Sequence, residues 1–205
     1  MSTQADAILI FAGSSRVQSF NRMLAKEAAR LVREAGSRPT YIELQELNIP
    51  LYNADLEARG TPRGVITLKE MMHSHTGWII ASPEFNGSYT ALLKNTLDWA
   101  SSPAKAGAEC SEDQAANWKS GTKPFAGKVV GLLSASPGMM GGLRSLDHLA
   151  PLLRNLQCWL APQQFALGKA GDAFDAQGHL KDEATVAKVK AVVDQVIFGA
   201  QRLAA

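Results

Sequence analysis

The sequence lacks the features that mark several common classes of protein. Its 205 residues include only 2 cysteines, Cys110 and Cys158, too few for a disulfide framework and without metal-site spacing. We expect both to be free thiols, Cys158 in the core and Cys110 in a polar loop. No apolar run is long enough to span a membrane, and the N-terminal MSTQADAILIFAGSS shows no basic leader. We therefore predict a cytoplasmic protein with no membrane partner.

An excess of charge of one sign is also missing. The 21 Lys and Arg residues and 19 Asp and Glu residues leave a formal net charge of +2, and the basic residues are spread along the chain. Nucleic acids and anionic membranes require a basic stripe, so we predict neither partner. The 46% hydrophobic content is ordinary for a globular protein, and we expect residues 1–205 to form a single domain.

The motifs of several enzyme classes are absent as well. The chain has neither GxGxxG nor GxxxxGK[ST], which hold pyrophosphates, and it has no GxSxG nucleophile elbow. His73 and His75 are two residues apart and would point to different sides of a helix, so we place both at the surface. Residues 172–183 do not match a calcium loop, because Gly178 stands one position late. No metal site is predicted.

Apolar strand patterns alternate with amphipathic helical patterns. The first helix follows Ser19, which can act as its N-cap, and Gly36 can stop it. Another helical pattern contains Pro151, which predicts a kink or an interruption. Strands are predicted at residues 7–12, 40–44, 77–82, 128–134 and 164–167. Helices are predicted at residues 20–35, 66–75, 90–101, 141–156 and 182–203.

This alternation predicts an α/β fold, a doubly wound parallel sheet of five strands with helices on both faces. Ligands bind such sheets beyond the carboxyl ends of the strands, where the winding direction reverses. The loops after the first, third and fourth strands are therefore the candidate site. Residues 102–123, rich in Ala, Gly and Ser, form a long loop that we expect to be the least structured part of the chain.

The loop after the first strand, GSSRVQSFN at residues 13–21, has the chemistry of a phosphate site. A helix N-terminus favours an anion, three serines add hydroxyl donors, and a guanidinium can hold two phosphate oxygens. A phosphate monoester is the ligand these groups suit best. In the alternative interpretation, Ser19 only caps the helix and Arg16 is an ordinary surface charge.

The other two loops add an aromatic and a glycine-rich element. PEFNGS, residues 83–88, combines a rigid proline entry with an amide and a glycine, and a flat heteroaromatic ring can lie against such a loop. SASPGMMGG, residues 134–142, is glycine-rich and opens another helix. The alternative for this third loop is a plain turn in which Met139 and Met140 are adaptable filler.

These motifs together resemble the NAD(P)H-dependent FMN reductases of the flavodoxin-like superfamily, which includes bacterial quinone and chromate reductases. The first family signature, Gly-Ser-x-Arg-x-x-Ser-x-Asn, is matched at residues 13–21. The second is matched by Pro-Glu-Phe-Asn at residues 83–86, then by Leu-Lys-Asn and Asp-Trp within residues 93–99. A Ser-x-x-Gly-x-x-Gly-Gly loop is matched less specifically by Ser134, Gly138, Gly141 and Gly142, with one extra residue between Ser134 and Gly138.

The resemblance implies a flavodoxin-like fold and an FMN cofactor whose phosphate is held by Ser14, Arg16, Ser19 and Asn21. NADPH or NADH would be the co-substrate, and a quinone, a flavin or a similar small molecule the acceptor. The chemistry belongs to the cofactor, so no residue is assigned as catalytic. The implied cofactor-binding residues are Ser14, Arg16, Ser19, Phe20, Asn21, Pro83, Glu84, Phe85, Asn86, Ser134, Ser136 and Gly138.

Two features extend or limit this interpretation. The association of related proteins and the aromatic Trp99 predict a homodimer or a dimer of dimers, in which residues 102–123 contact the partner. The main alternative function is a flavodoxin-type electron carrier without nicotinamide activity, but such carriers are acidic around the flavin, and this sequence has a pI of about 8.6. A third alternative is a flavodoxin-like domain that binds no flavin.

Overall fold

The computed structural model describes residues 7–203 and arranges them around one parallel sheet. The strand order is β2-β1-β3-β4-β5, with β6 also paired to β4, and every pairing is parallel. This order is typical of flavodoxin-like proteins, so the predicted fold class is confirmed. Residues 1–6, part of the N-terminal stretch on which the expected absence of a leader was based, lie outside the described residues. The strands are β1 (Ala7–Ala12), β2 (Arg38–Ile42), β3 (Gly77–Ala81), β4 (Val129–Ala135), β5 (Trp159–Leu160) and β6 (Phe165–Leu167).

The far edge of the sheet differs from the prediction, which placed a single fifth strand at residues 164–167. Two short strands occupy this edge: β5 pairs with Val129 and Val130, whereas β6 pairs with the carboxyl end of β4. Pro162 lies between them, and a proline cannot donate a backbone hydrogen bond to a neighbouring strand. The predicted five-stranded sheet is therefore a six-stranded one with a divided edge.

Seven α-helices are described within residues 7–203. Ser19 caps α1 as predicted, because its Oγ accepts a hydrogen bond from the Arg22 amide at 3.4 Å. Pro151 was predicted to kink or interrupt a helix. The interruption is wrong, because α6 runs through Pro151, with Leu149 and Leu153 buried on either side. The helices are α1 (Phe20–Glu34), α2 (Ala54–Glu57), α3 (Arg63–Ser74), α4 (Ala91–Ser101), α5 (Glu112–Asn117), α6 (Leu143–Asn155) and α7 (Glu183–Leu203).

The helices cover both faces of the sheet. Alternate residues of β1 point to opposite faces, as the strand period requires. Ile8 and Ile10 pack in the core beside α1 and α7, and Leu9 and Phe11 pack in the core beside α3, α4 and α6. The sheet is thus buried on both sides, which leaves the carboxyl ends of its strands as the open edge. No helix within residues 7–203 is both long and apolar enough to cross a membrane.

Residues 102–123 are more ordered than the sequence predicted. They contain α5, whose N-terminus has a reciprocal capping box between Ser111 and Gln114. Cys110 is buried beside Trp118 in a small apolar cluster rather than in a polar loop, and burial raises the pKa of its thiol. Cys158 is buried as expected, and burial raises its pKa to about 12.

One of the two histidines predicted to lie at the surface is buried. His75 Nε2 lies 2.7 Å from Thr40 Oγ1, and its Nδ1 lies 2.6 Å from the Met71 carbonyl oxygen. Burial lowers the pKa of His75, which favours the neutral ring with Nδ1–H donating to Met71. The position directly after α3, where the chain turns into β3, brings this ring inward. His73 remains exposed, as expected.

Lys69 connects α3 to the end of α4. Its side chain is fully buried, and its Nζ donates to the carbonyl oxygens of Ala100 at 2.7 Å and Ser102 at 2.6 Å. These carbonyls lie where α4 runs out of intrahelical donors. Burial lowers the pKa of Lys69 to about 8 from an ordinary value of 10.5. This lysine therefore holds the start of the 102–123 segment in place.

We predict that Lys69→Met lowers the free energy of unfolding by about 2 kcal/mol, because two buried carbonyls lose their donor. Between pH 8 and 10.5 the unfolded wild type binds one more proton at Lys69 than the folded wild type does. The difference between wild type and variant should therefore grow with pH across this window, by at most about 1.4 kcal/mol per pH unit. Urea unfolding of both proteins from pH 7 to 10.5 measures it, and a difference that shrinks with pH would contradict the assignment.

Candidate active site

The loops after β1, β3 and β4 meet at the carboxyl edge of the sheet and enclose a cavity of about 210 Å³. This is the crevice where ligands bind doubly wound sheets. The cavity includes every predicted cofactor-binding residue except Asn86, Ser134 and Gly138, and it adds Ala135 and Pro137. Its lining residues are Ser14, Arg16, Ser19, Phe20, Asn21, Pro83, Glu84, Phe85, Ala135, Ser136 and Pro137.

Arg16 supplies a positive charge at the mouth of this cavity. The side chain is exposed, its guanidinium lies 5.2 Å from the centre of the Phe20 ring, and it bonds the Gln18 carbonyl within its own loop. Among the described residues, no carboxylate forms an ion pair with it. Its charge is consequently available to an anion.

The loop that carries Arg16 also presents unused backbone donors. Across residues 7–203, the amides of Val17 and Gln18 find no protein acceptor, whereas the turn at these two residues directs the Ser19 amide toward the Arg16 carbonyl. They stand directly before α1, a helix of 15 residues whose dipole places partial positive charge at this end. Ser14 is half-buried and Ser19 is 3% exposed, and both hydroxyls retain a proton to donate. The loop has the donor set of a phosphate site.

Asn21 joins the first loop to the third. Its Nδ2 donates to the Ala135 carbonyl oxygen at 2.8 Å, and its Oδ1 accepts from the Ala135 amide at 2.9 Å. The side chain is buried, so both bonds are shielded from water. The predicted role of Asn21 was to hold a phosphate, but its amide is mainly engaged in fixing α1 to the end of β4.

The loop after β3 is a tight hairpin. Phe85 and Ser88 exchange two backbone hydrogen bonds, of 2.8 and 3.1 Å. Asn86 and Gly87 between them both have positive φ, 51° and 81°, the combination that an Asn-Gly turn adopts. The hairpin leaves the Phe85 ring 61% exposed beside the cavity. A flat apolar surface is thus offered next to the phosphate-type donors.

Glu84 links this hairpin to α6. Its Oε1 accepts from Arg144 Nε at 2.8 Å and Nη2 at 2.6 Å, and its Oε2 accepts from the Arg144 amide at 3.2 Å. The carboxylate thereby neutralises Arg144 and satisfies a free donor at the start of α6. The sequence analysis missed Arg144, because nothing in the chain near residue 84 points to a partner 60 residues away.

The third loop, after β4, contributes fewer of the predicted residues to the cavity than the sequence suggested. Ser134 is fully buried, its Oγ has no hydrogen-bond partner within the described residues, and it does not line the cavity. A Cβ at Gly142 would lie 2.1 Å from that oxygen, so only glycine fits there, with φ +87°. Gly138 is exposed and also outside the cavity, whereas Ser136 lines it and accepts from the Gly138 amide at 3.2 Å.

A larger groove of about 670 Å³ lies elsewhere, between α6 and the β5–β6 edge. It is lined by the side chains of Pro151, Trp159 and Pro162 beside one acid, Asp147, and one base, Arg154. Its lining residues, all within residues 7–203, include no N-terminus of a helix and no serine or threonine hydroxyl. Size alone would favour this groove, but the donor chemistry favours the smaller cavity.

Comparisons with known sequences point to the same family that the motifs of the three loops resemble. The sequence profile described as NADPH-dependent FMN reductase matches residues 7–172. An NAD(P)H-dependent FMN reductase of Pseudomonas aeruginosa is 35% identical over 178 residues, 86% of this chain and 85% of its own length. An NADPH:quinone oxidoreductase of Arabidopsis thaliana is 33% identical over 192 residues, 91% of this chain and 87% of its own length.

Solved structures place the fold in the same group. The flavoenzyme NAD(P)H:(acceptor) oxidoreductase FerB from Paracoccus denitrificans has a TM-score of 0.77 at 25% identity, covering 97% of this chain and 99% of its own. The family match includes the loop at residues 13–21, the hairpin at residues 83–88 and the loop at residues 134–142. It therefore confirms the resemblance that these motifs suggested. The chain belongs to the NADPH-dependent FMN reductase family.

Proposed function

We propose that the protein uses bound FMN to transfer reducing equivalents from NAD(P)H to a small-molecule acceptor. The observation that carries this function is that, within residues 7–203, the amides of Val17 and Gln18 have no acceptor and Arg16 has no ion-pair partner, beside an exposed aromatic hairpin. Membership of the FMN reductase family supports both the cofactor and the nicotinamide co-substrate. Relatives named as quinone reductases favour a quinone or a similar acceptor.

The residues present fit FMN at its two chemically different ends. Arg16, Ser14, Ser19 and the free amides would hold the phosphate dianion, while Pro83, Glu84, Phe85, Asn86 and Ser136 would border the rest of the molecule. Asn21 would act through Ala135, by holding the first and third loops together. We assign Ser134 and Gly138 to the shape of the third loop, because neither lines the cavity.

Bound FMN supplies a hydride acceptor and a donor of two electrons, so the chain itself needs no acid or base, and we assign none. The tasks of the chain are to fix the cofactor at its phosphate and to keep the hairpin side of the cavity open to both substrates. Phe85, which lines the cavity and is 61% exposed, provides an apolar border there. Such a border suits flat, apolar acceptors.

The electron-carrier alternative is tested with the same protein. Absorbance of the purified protein with added FMN distinguishes a flavoprotein from a flavodoxin-like domain that binds no flavin. Consumption of NADPH in the presence of a quinone then distinguishes the proposed oxidoreductase from a carrier without nicotinamide activity. Failure of FMN to change the absorbance or to raise the thermal unfolding temperature would remove the proposal.

Two further properties belong to the proposal. We place the protein in the cytoplasm as a single domain, since its described residues share one sheet and both cysteines are free and buried. We also propose a homodimer or a dimer of dimers. Trp99 no longer supports it, because the ring is buried against Tyr52 and its Nε1 donates to the Pro50 carbonyl at 2.9 Å. Residues 102–123 remain the proposed partner contact.

Arg16→Gln should weaken FMN binding by about ten- to a hundredfold, because a charge-assisted hydrogen bond contributes roughly 1.5 to 3 kcal/mol. Riboflavin has no phosphate, so its affinity should stay unchanged. Fluorescence titration of wild type and variant with both ligands measures this. Equal losses for the two ligands, or no loss for either, would make Arg16 an ordinary surface charge.

Asn21→Ala provides the contrast between a phosphate contact and the scaffold. The variant leaves the amide and the carbonyl of Ala135 buried without partners, and we expect a loss of roughly 2 to 4 kcal/mol in the free energy of unfolding. Because the loops themselves shift, FMN and riboflavin should both bind more weakly. Urea unfolding of the apoprotein and the same titrations check it, and a stable variant that loses only FMN would make Asn21 a direct phosphate ligand.

Steady-state kinetics should be ping-pong, since one cavity at the sheet edge must admit the nicotinamide and the acceptor in turn. Double-reciprocal plots at several fixed quinone concentrations are expected to be parallel. Intersecting plots, together with binding of both substrates at once, would contradict a shared cavity.

Sedimentation velocity at micromolar concentration should show a dimer or a tetramer. Deletion of residues 106–117, which contain α5, should shift the distribution toward monomer if this segment contacts the partner. A monomeric wild type would remove the proposed association, and an unchanged oligomer after the deletion would remove the role of the segment.

A further inference from the structure

Arg22 contacts the loop of residues 13–19 but does not line the cavity. Its Nη1 donates to the Arg16 carbonyl oxygen at 3.2 Å and to the Val17 carbonyl oxygen at 3.5 Å. Its backbone amide also donates to Ser19 Oγ at 3.4 Å. One residue in the first turn of α1 thus contacts three positions of the loop that precedes it.

Arg22 is itself held from the far side. Glu43 Oε1, at the end of β2, accepts from Arg22 Nε at 3.0 Å and from Nη2 at 2.6 Å. The Tyr41 hydroxyl donates to the same oxygen at 2.7 Å. Both charged side chains are largely covered, with 20% of Arg22 and 17% of Glu43 exposed. The guanidinium is therefore fixed between a strand end and a loop.

The direction of these bonds determines the direction of the loop amides. A trans peptide unit is planar, with its C=O and its N–H pointing in opposite directions. When the Arg16 and Val17 carbonyls point at Arg22, the amides of Val17 and Gln18 must point away from it. Those two amides are among the donors that find no acceptor within the described residues. Arg22 thus organises the donors without being one of them.

We propose that Arg22, anchored by Glu43 and Tyr41, is a positioning residue that orients the amides of the 13–19 loop for the phosphate of FMN. We do not assign Arg22 as a phosphate ligand, because four of its five N–H groups contact Glu43 and two carbonyls and the residue does not line the cavity. This inference rests on the proposed function, since it assumes a phosphate in the loop. It assigns a role in FMN binding to Arg22 of α1, Tyr41 of β2 and Glu43 directly after β2, none of which belongs to a sequence motif.

The sign of the Glu43 effect separates positioning from simple electrostatics. If Arg22 acted only through its charge, Arg22→Lys would keep FMN affinity, and removing the negative charge in Glu43→Ala would strengthen it. If Arg22 positions the loop, both variants should weaken FMN binding by about tenfold. This factor corresponds to the entropy cost of ordering roughly one backbone residue of the loop when FMN binds. Riboflavin affinity should change little in either variant, and FMN dissociation should be faster.

The experiment measures FMN and riboflavin affinities of wild type, Arg22→Lys, Glu43→Ala and Tyr41→Phe by fluorescence titration. Arg33→Gln is the matched control, because it removes one positive charge from an exposed position of the same helix without touching the loop. Selective loss of FMN in the Arg22 and Glu43 variants, a smaller loss in Tyr41→Phe and none in Arg33→Gln supports the inference.

Unchanged FMN affinity in Arg22→Lys, or tighter FMN binding in Glu43→Ala, would overturn it. Equal losses for FMN and riboflavin would overturn it too, since they indicate a general structural effect. If Arg22→Lys or Glu43→Ala fails to fold, Tyr41→Phe alone decides, because it removes one hydroxyl and leaves the ion pair. If the wild type does not bind FMN, the proposed function itself is wrong. The titration of the wild type shows this before any variant is compared.

Discussion

The candidate site depends on the paired hydrogen bonds between the Asn21 amide and the backbone of Ala135. β1 and β4 are not neighbours in the sheet, since β3 lies between them, so no strand pairing fixes the loops that follow them. Asn21 connects the first turn of α1 directly to the end of β4, and both bonds are buried. The cavity between the two loops follows from this connection, while the Glu84 to Arg144 pair links the hairpin after β3 to α6.

Charge at the site is divided in a simple way. The two acidic side chains at its borders, Glu43 and Glu84, are each paired with an arginine, Arg22 and Arg144 respectively. Arg16 has no such partner within the described residues. The pairs neutralise one another and hold neighbouring loops together, so the net charge offered to a ligand is that of Arg16 and the start of α1. An anion is favoured, although the whole chain is close to neutral.

Much of this arrangement could be predicted from the sequence because it depends on local chemistry. The spacing of apolar residues predicts the strands and helices of the α/β sheet. Ser19 is a residue type that caps helices, and Asn86 followed by Gly87 is a pair that favours a tight turn. The pairings of Asn21 with Ala135, Arg22 with Glu43 and Glu84 with Arg144 could not be predicted, since each joins residues far apart in the chain.

Burial was harder to predict than the elements themselves. His75 was expected at the surface, Cys110 in a polar loop and Ser134 in contact with the cofactor, yet each is buried. Their environment depends on how neighbouring elements pack, and a polar local sequence does not reveal that. Pro151 shows the same limit, because the packed leucines around it keep α6 continuous in spite of the missing amide. Tertiary packing overrides local preference at all four positions.

The most direct test of a phosphate site at residues 13–19 is a crystal structure of the protein with bound FMN. We expect the phosphate oxygens within hydrogen-bond distance of the Val17 and Gln18 amides and of the Arg16 guanidinium, with the Arg22 to Glu43 pair intact behind the loop. FMN bound in the groove between α6 and β5, or a phosphate that leaves those amides without a partner, would contradict the assignment.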